Sequence, residues 1–177
     1  GAAEADVLAK NPDVKQNAAM LDALIGVYER NVLGYPTTAV LPYSQAMSRF
    51  PAHLQQLDME SNGKSVNRFG TNGQHSFYQL LHQGTNIVPL QFMGFKNSQM
   101  GSDVVIQGST SQQKLCANVA AQIMAFACGK EDADRNKYFA GGRPSSIIIG
   151  DKLTPKALGA ILAHFENKVM FQGFVWN

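Results

Sequence analysis

Segments with apolar residues at helical spacing alternate along this chain with short β-branched or apolar runs, and that alternation narrows the fold more than any other feature. Met20, Leu21, Leu24, Val27 and Tyr28 recur at helical spacing behind Asn11, a cap, and Pro12, a first-turn residue; Gly34 closes the segment. Residues 37–41 are β-branched and apolar, as a strand requires. Ser48 is placed to cap a second helix with Pro51 in its first turn, where a missing N–H costs nothing, and Asn62-Gly63 stops it. A polar stretch over 64–72 precedes a helix over 73–82. Residues 87–93 read as a strand, with Pro89 pointing to an edge position or an irregular start, and 104–107 as a shorter one. Residues 111–128 form a strong helical pattern, apolar at Leu115, Val119, Ile123 and Phe126, before a polar loop over 132–144. The run over 146–150 is almost continuously apolar, as buried parallel strands are. Thr154-Pro155 opens a last helix with Leu158, Ile161, Leu162, Phe165 and Val169 on one stripe. This order predicts a layered α/β domain around a mostly parallel sheet. No linker divides residues 1–177, so a single domain is expected.

Composition removes several function classes. The 177 residues are 45% hydrophobic and 16% charged, with a formal net charge of +2, which describes an ordinary globular protein. No run of basic residues offers a stripe for nucleic acid, so no nucleic-acid partner is expected. Apolar stretches such as 158–162 are far short of a membrane span, and no membrane partner is expected either. The first residues, Gly1-Ala2-Ala3-Glu4, carry no signal-peptide pattern, while the apolar pattern still running at Trp176-Asn177 reads as a chain that continues. Cys116 and Cys128 lie about 18 Å apart along a helix axis, against the roughly 7 Å limit of a disulfide, so two free thiols are expected.

The densest polar cluster is Gln55-Gln56-Leu57-Asp58-Met59-Glu60-Ser61-Asn62-Gly63-Lys64. On a helix, Phe50, Leu54 and Leu57 form the buried stripe, and Gln56 and Glu60 share a face at its edge. A partly desolvated carboxylate there is suited to general-base work, whereas a solvated glutamate before an Asn-Gly turn is the commoner case. The second cluster is Thr71-Asn72-Gly73-Gln74-His75. His75 falls opposite Phe77, on a polar face shared with His82; it is either a solvent-facing histidine or an acid–base or interface residue. Two helical turns, about 10 Å, separate the two histidines, too far for one metal ion, and no other spacing supplies a metal site. Gly141-Gly142-Arg143-Pro144 fits a turn better than an anion nest.

As written strings these clusters resemble the glucose-6-phosphate isomerase family over nearly the whole chain. The resemblance is carried by Ala39-Val40-Leu41-Pro42-Tyr43, Arg49-Phe50-Pro51-Ala52, the string from Gln55 to Lys64, and that from Thr71 to Gln79. It continues through His82-Gln83-Gly84-Thr85, Arg143-Pro144-Ser145, Lys152-Leu153-Thr154-Pro155 and Phe171-Gln172-Gly173. The strings DMESNGK and TNGQH, in this order, are specific enough to identify the family.

The resemblance implies a sugar isomerase (SIS) domain, a Rossmann-like three-layer αβα sandwich, and the interconversion of glucose 6-phosphate and fructose 6-phosphate in glycolysis and gluconeogenesis. It implies no cofactor and no metal, a cytoplasmic homodimer, and a sugar phosphate substrate. Glu60 corresponds to the base that moves a proton between C1 and C2 through a cis-enediol. Gln56 corresponds to a sugar-phosphate contact, and His75 to the residue that helps open the ring from the neighbouring subunit. Three departures stand out. Family members carry a further loop where Gly70 here meets Thr71. Their phosphate-gripping loop and a Gly-Gly-Arg motif belong to an earlier half, and Gly141-Gly142-Arg143 is not that motif. A lysine-bearing segment follows beyond the position of Asn177. The expectation is therefore a fragment of a larger two-domain isomerase, inactive alone; the alternative is a sugar-phosphate-binding SIS module without catalysis.

Overall fold

The computed structural model describes residues 1–63, 67–69 and 77–176. Its sheet is built from β1 (Thr37–Pro42), β2 (Asn67–Phe69), β3 (Leu90–Asn97) and β6 (Ser145–Lys152), ordered β2-β1-β3-β6. All three pairings are parallel, with Ala39 opposite Leu90 and Phe92 opposite Ile147. A two-stranded hairpin, β4 (Val105–Ile106) and β5 (Ser109–Thr110), turns through Gln107 and Gly108, both at positive φ, the type I′ geometry that suits a two-residue connection.

Helices cover both faces. The helices are α1 (Ala2–Ala9), α2 (Ala18–Asn31), α3 (Phe50–Asn62), α4 (Tyr78–Gln83), α5 (Ser111–Cys128) and α6 (Pro155–Trp176). Strand side chains alternate between two cores. Leu41, Tyr43, Leu90 and Phe92 pack with Tyr78 and Leu81 of α4 and with Val119 and Phe126 of α5. Val40, Met93 and Phe95 face the other way, onto Phe50 and Leu54 of α3 and Phe165 of α6. Full burial of a side chain such as Phe92, Phe126 or Phe165 contributes roughly 1.5–3 kcal/mol. On that second face α6 is the common neighbour: it packs against α1, α2 and α3. The result is the expected α/β sandwich.

Three sequence readings need correction, and a fourth, open between two outcomes, is decided. The first helical pattern starts later than Asn11: Val14–Gln16 form a short 3-10 turn, and Asn17 caps α2 by accepting from the Met20 amide at 3.0 Å. Asn17 also donates to the carbonyls of Ala9 and Asn11, so it joins α1 to α2 as well as capping. Ser48 is not a cap. Its backbone is helical (φ −59°, ψ −27°) because the 3-10 turn Gln45–Met47 runs straight towards α3, and a cap needs extended backbone. β3 is an interior strand despite Pro89. The strand starts one residue later, and the Pro89 carbonyl accepts from the Ala39 amide at 2.9 Å, so only the irregular start is realised.

The last correction concerns β6. Its apolar run suggests burial on both faces, yet among the described residues it forms an edge of the sheet. Ile148 packs into the core beneath α3 and α6, but Ile147 and Ile149, on the other face, are 40% and 57% exposed. They line an apolar groove whose far wall is Leu115, Cys116, Val119 and Ile123 of α5. α6 likewise leaves Leu158, on its apolar stripe, exposed. Among the described residues no helix is long and apolar enough to cross a membrane.

Candidate functional site

α3 forms because Phe50 and Leu54 recur on one face with Pro51 in its first turn, and it ends where Gly63 enters the left-handed region (φ 59°). Leu54 and Asp58 are buried beneath it, whereas Gln56, Met59 and Glu60 face outward. The Gln56 amide Nε2 donates to Glu60 Oε1 at 3.0 Å. The two residues border a shallow hollow with Ala52, Gln55 and Met59. The structure thus brings the two α3 candidates together, at helical spacing. Partial desolvation of Glu60 does not hold in this chain, because its side chain lies on the exposed face rather than at the edge of the buried stripe. Among the described residues no cationic side chain lines the hollow, so it offers a proton acceptor and an amide but no grip for a phosphate. His75 lies outside the described residues, as does the 70/71 junction.

His82 is not solvent-facing. It stacks on Phe126 with ring centroids 3.8 Å apart and meets Phe139 edge-on. Burial, reinforced by the Arg143 guanidinium, holds its imidazole below the ordinary value, against a hydrogen bond with Gln122. Arg143 itself is buried, and its Nη2 donates to the carbonyls of Gly84 (2.9 Å) and His82 (3.3 Å). The Gly142 and Arg143 amides donate to Ala127 and Phe126, capping the end of α5. Gly141 must be glycine: its φ is 67°, and a Cβ would lie 2.7 Å from the Cys128 backbone. Arg143 Nη2 and the Gly142 and Arg143 amides are spent inside the fold, so Gly141-Gly142-Arg143-Pro144 is a structural turn and not an anion nest. Cys116 and Cys128 are free thiols, as expected.

One polar cluster escaped the sequence reading. Asp22 of α2 sits between two residues of α6, with Lys168 Nζ 2.9 Å from Oδ1 and His164 Nε2 3.0 Å from Oδ2. Gln91 of β3 adds a hydrogen bond from Nε2 to Asp22 Oδ2 at 2.8 Å. Burial pushes the Asp22 carboxyl up, but Lys168, with the hydrogen bonds from His164 and Lys168, outweighs it and holds the group well below the usual range. Two signals were available: a glutamine inside an apolar strand, and a lysine flanked by Phe165 and Val169 on the apolar stripe of α6.

A parallel sheet covered on both faces, with a carboxylate and its amide partner on one flanking helix, defines an α/β sandwich carrying a polar helix-borne site. The fold recurs at low sequence likeness: a hypothetical protein from Thermus thermophilus superposes with a TM-score of 0.80 at 20% identity, over 99% of this chain and 43% of that one. A family model described as phosphoglucose isomerase matches residues 1–177, and the chain belongs to that family. It is 65% identical to a glucose-6-phosphate isomerase of Treponema denticola and 67% identical to that of Treponema pallidum, over all of this chain but only 37% and 36% of theirs. A crystal structure of a glucose-6-phosphate isomerase from Chlamydia trachomatis superposes with a TM-score of 0.92 at 48% identity, over 99% of this chain and 37% of that one. The chain therefore spans little more than a third of the length of the relatives it matches.

Proposed function

We propose that this chain is the part of a longer polypeptide, a glucose-6-phosphate isomerase, that carries the catalytic base. The observation that carries the reading is the Gln56–Glu60 pair on the outer face of α3, inside a string the family match covers. In this reading the ring of glucose 6-phosphate opens with help from His75 of a neighbouring subunit in a homodimer. Glu60 then takes the C2 proton of the open aldose, and the hydroxyl proton on O2 passes to O1, so that the sugar goes through a cis-enediol-type intermediate (an enediolate). The same carboxyl returns a proton to C1 on the same face, which gives fructose 6-phosphate; Gln56 contacts the sugar phosphate and steadies the carboxylate. Every step is a proton transfer or the opening of a hemiacetal, so the scheme calls on no cofactor. The domain is of the SIS type, and the cytoplasm is its compartment.

Isomerisation by the longer polypeptide in deuterium oxide tests the chemistry. Part of the fructose 6-phosphate is expected to carry solvent deuterium at C1, because a proton held on a carboxyl exchanges with water. A product free of solvent deuterium would point to direct hydride transfer and remove the enediol.

The rest of the polypeptide would supply the phosphate grip that the α3 hollow lacks, so the 177-residue chain alone is expected to show no turnover. Two observations support a larger whole. Alignments with the relatives run over 193 positions, 16 more than the 177 residues here, which fits an additional loop where Gly70 meets Thr71. The apolar groove beside β6 also fits a surface that the remaining polypeptide covers. Cys116 lines that groove and Cys128 does not, although both are exposed in this chain. Cys116 should therefore react with a thiol reagent roughly tenfold more slowly in the longer polypeptide than in this chain, with Cys128 unchanged. Equal Cys116 rates would mean that the groove stays open.

A further inference from the structure

We infer that Asn62 and Gly173 form a clamp that positions Glu60, a role that rests on reading Glu60 as the base. Glu60 sits in the last turn of α3, two residues before its end. Last turns are where helices fray, since their final carbonyls have no intrahelical donors. Met59, Glu60 and Ser61 all face outward, so burial does not hold the turn still. Asn62 supplies a fixed point. Its Nδ2 donates to the Val169 carbonyl of α6 at 3.1 Å, a bond between residues 107 apart in the chain.

That bond depends on a close approach. Gly173 lies one turn beyond Val169, and a Cβ there would stand 2.8 Å from Asn62 Oδ1. Such a contact is too short to survive, and the small amide can rotate away more cheaply than two helices can separate. An alanine at 173 therefore expels the Asn62 side chain and breaks the bond while α6 stays in place. α6 is itself held by Gln172, whose Nε2 reaches the Ala23 carbonyl of α2 at 3.5 Å. The clamp ties the base to a helix already anchored elsewhere. Two positions distant in sequence thus act on the same carboxylate through one hydrogen bond.

The test uses the longer polypeptide with Asn62→Ala, the near-isosteric Asn62→Asp, and Gly173→Ala. Each should lower kcat roughly tenfold, in keeping with the sensitivity of proton transfer to sub-ångström placement. The decisive readout is the solvent deuterium incorporated per turnover in deuterium oxide. A loosely held carboxyl has longer to exchange its proton before returning it, so the ratio should rise about twofold. Misfolded protein contributes to neither side of that ratio, so a loss of folded enzyme leaves it unchanged. A wild-type ratio in both Asn62→Asp and Gly173→Ala overturns the clamp. Glu60→Gln, run alongside, separates this result from failure of the base: if that variant stays active, the base reading falls and takes the clamp with it.

Discussion

Glu60→Gln in the longer polypeptide should lower kcat about 10³-fold, equivalent to about 4 kcal/mol of transition-state stabilisation, while KM changes only a few-fold. The substitution keeps the size of the side chain and the possibility of a contact with Gln56, four residues earlier on the same face. It removes only the ability to accept a proton. In the proposed scheme ground-state binding of the sugar phosphate rests on groups other than the Glu60 carboxyl and is therefore spared, since among the described residues no cation lines the α3 hollow. A split of this kind, with kcat lost and KM kept, marks an interaction made in the transition state. The measurement is a coupled assay in both directions; activity within tenfold of the parent enzyme would end the assignment. Circular dichroism should be unchanged, since Glu60 is exposed and buries no partner.

The second result concerns stability. Asp22→Ala leaves Lys168, only 4% exposed, without its carboxylate. What remains near the ammonium is the Gln91 Oε1 at 3.5 Å, the Phe165 ring at 5.5 Å and the more distant charge of Glu29. Breaking one side of a buried pair costs about 3–5 kcal/mol. For a domain of this size that lowers Tm by on the order of 10 °C. Removing both charges with Asp22→Leu and Lys168→Met should recover most of the loss, because no uncompensated ion remains. A shift under about 2 °C for Asp22→Ala alone would show that Lys168 reaches water instead.

The same cluster sets a pH dependence. Asp22 is held below its unfolded value, so its stabilisation is present above the ordinary carboxylate range, near pH 4, and fades as pH falls through the lower folded value. Glu29, nearby on α2, shifts the other way: burial raises it, Lys168 opposes, and the Asp22 charge adds to the rise. The folded state therefore binds a proton at Glu29 more readily than the unfolded chain does, and gains stability as pH falls towards that raised value. Melting temperature should peak at mildly acidic pH. It should then fall less steeply below about pH 4 in Asp22→Ala than in the parent, because the variant has no such contribution to lose.

Much of this was readable from the chain. Periodicity placed α5 to the residue and located β1, β6, α3 and α6 closely, because those segments obey one rule each. It failed where two rules compete. A second cap, Asn17, outbid Asn11 because its side chain also bridges to α1, a contact that spacing does not encode. The Ile147-Ile148-Ile149 run said buried on both sides, yet what lies beside an edge is set by neighbours and not by the strand. At the site, helical spacing alone put Gln56 beside Glu60. His82 went the other way, since its stacking partner Phe126 is distant in sequence. For the Asp22–Lys168 pair, Gln91 and Lys168 stood out as polar residues in apolar patterns, but the pairing itself joins two helices 146 residues apart and spacing does not encode it.

The position of α6 has a consequence for how the chain acquires its shape. α1, α2 and α3 meet on α6 far more than on one another, and α6 is the last element of the 177 residues. Such contacts span most of the sequence, which raises the entropy of closure and slows assembly. On the ribosome, residues emerge at roughly 5–20 per second, so the first helices wait on the order of ten seconds for their partner. During that interval Phe50 and Leu54 have the sheet residues Val40, Met93 and Phe95 to pack on but not Phe165 of α6. The end of α3 that bears Glu60 is equally unanchored until Val169 and Gly173 arrive. The geometry at the end of α3 is thus a late product of folding, and a chain arrested before α6 would present α3 without one of its seats.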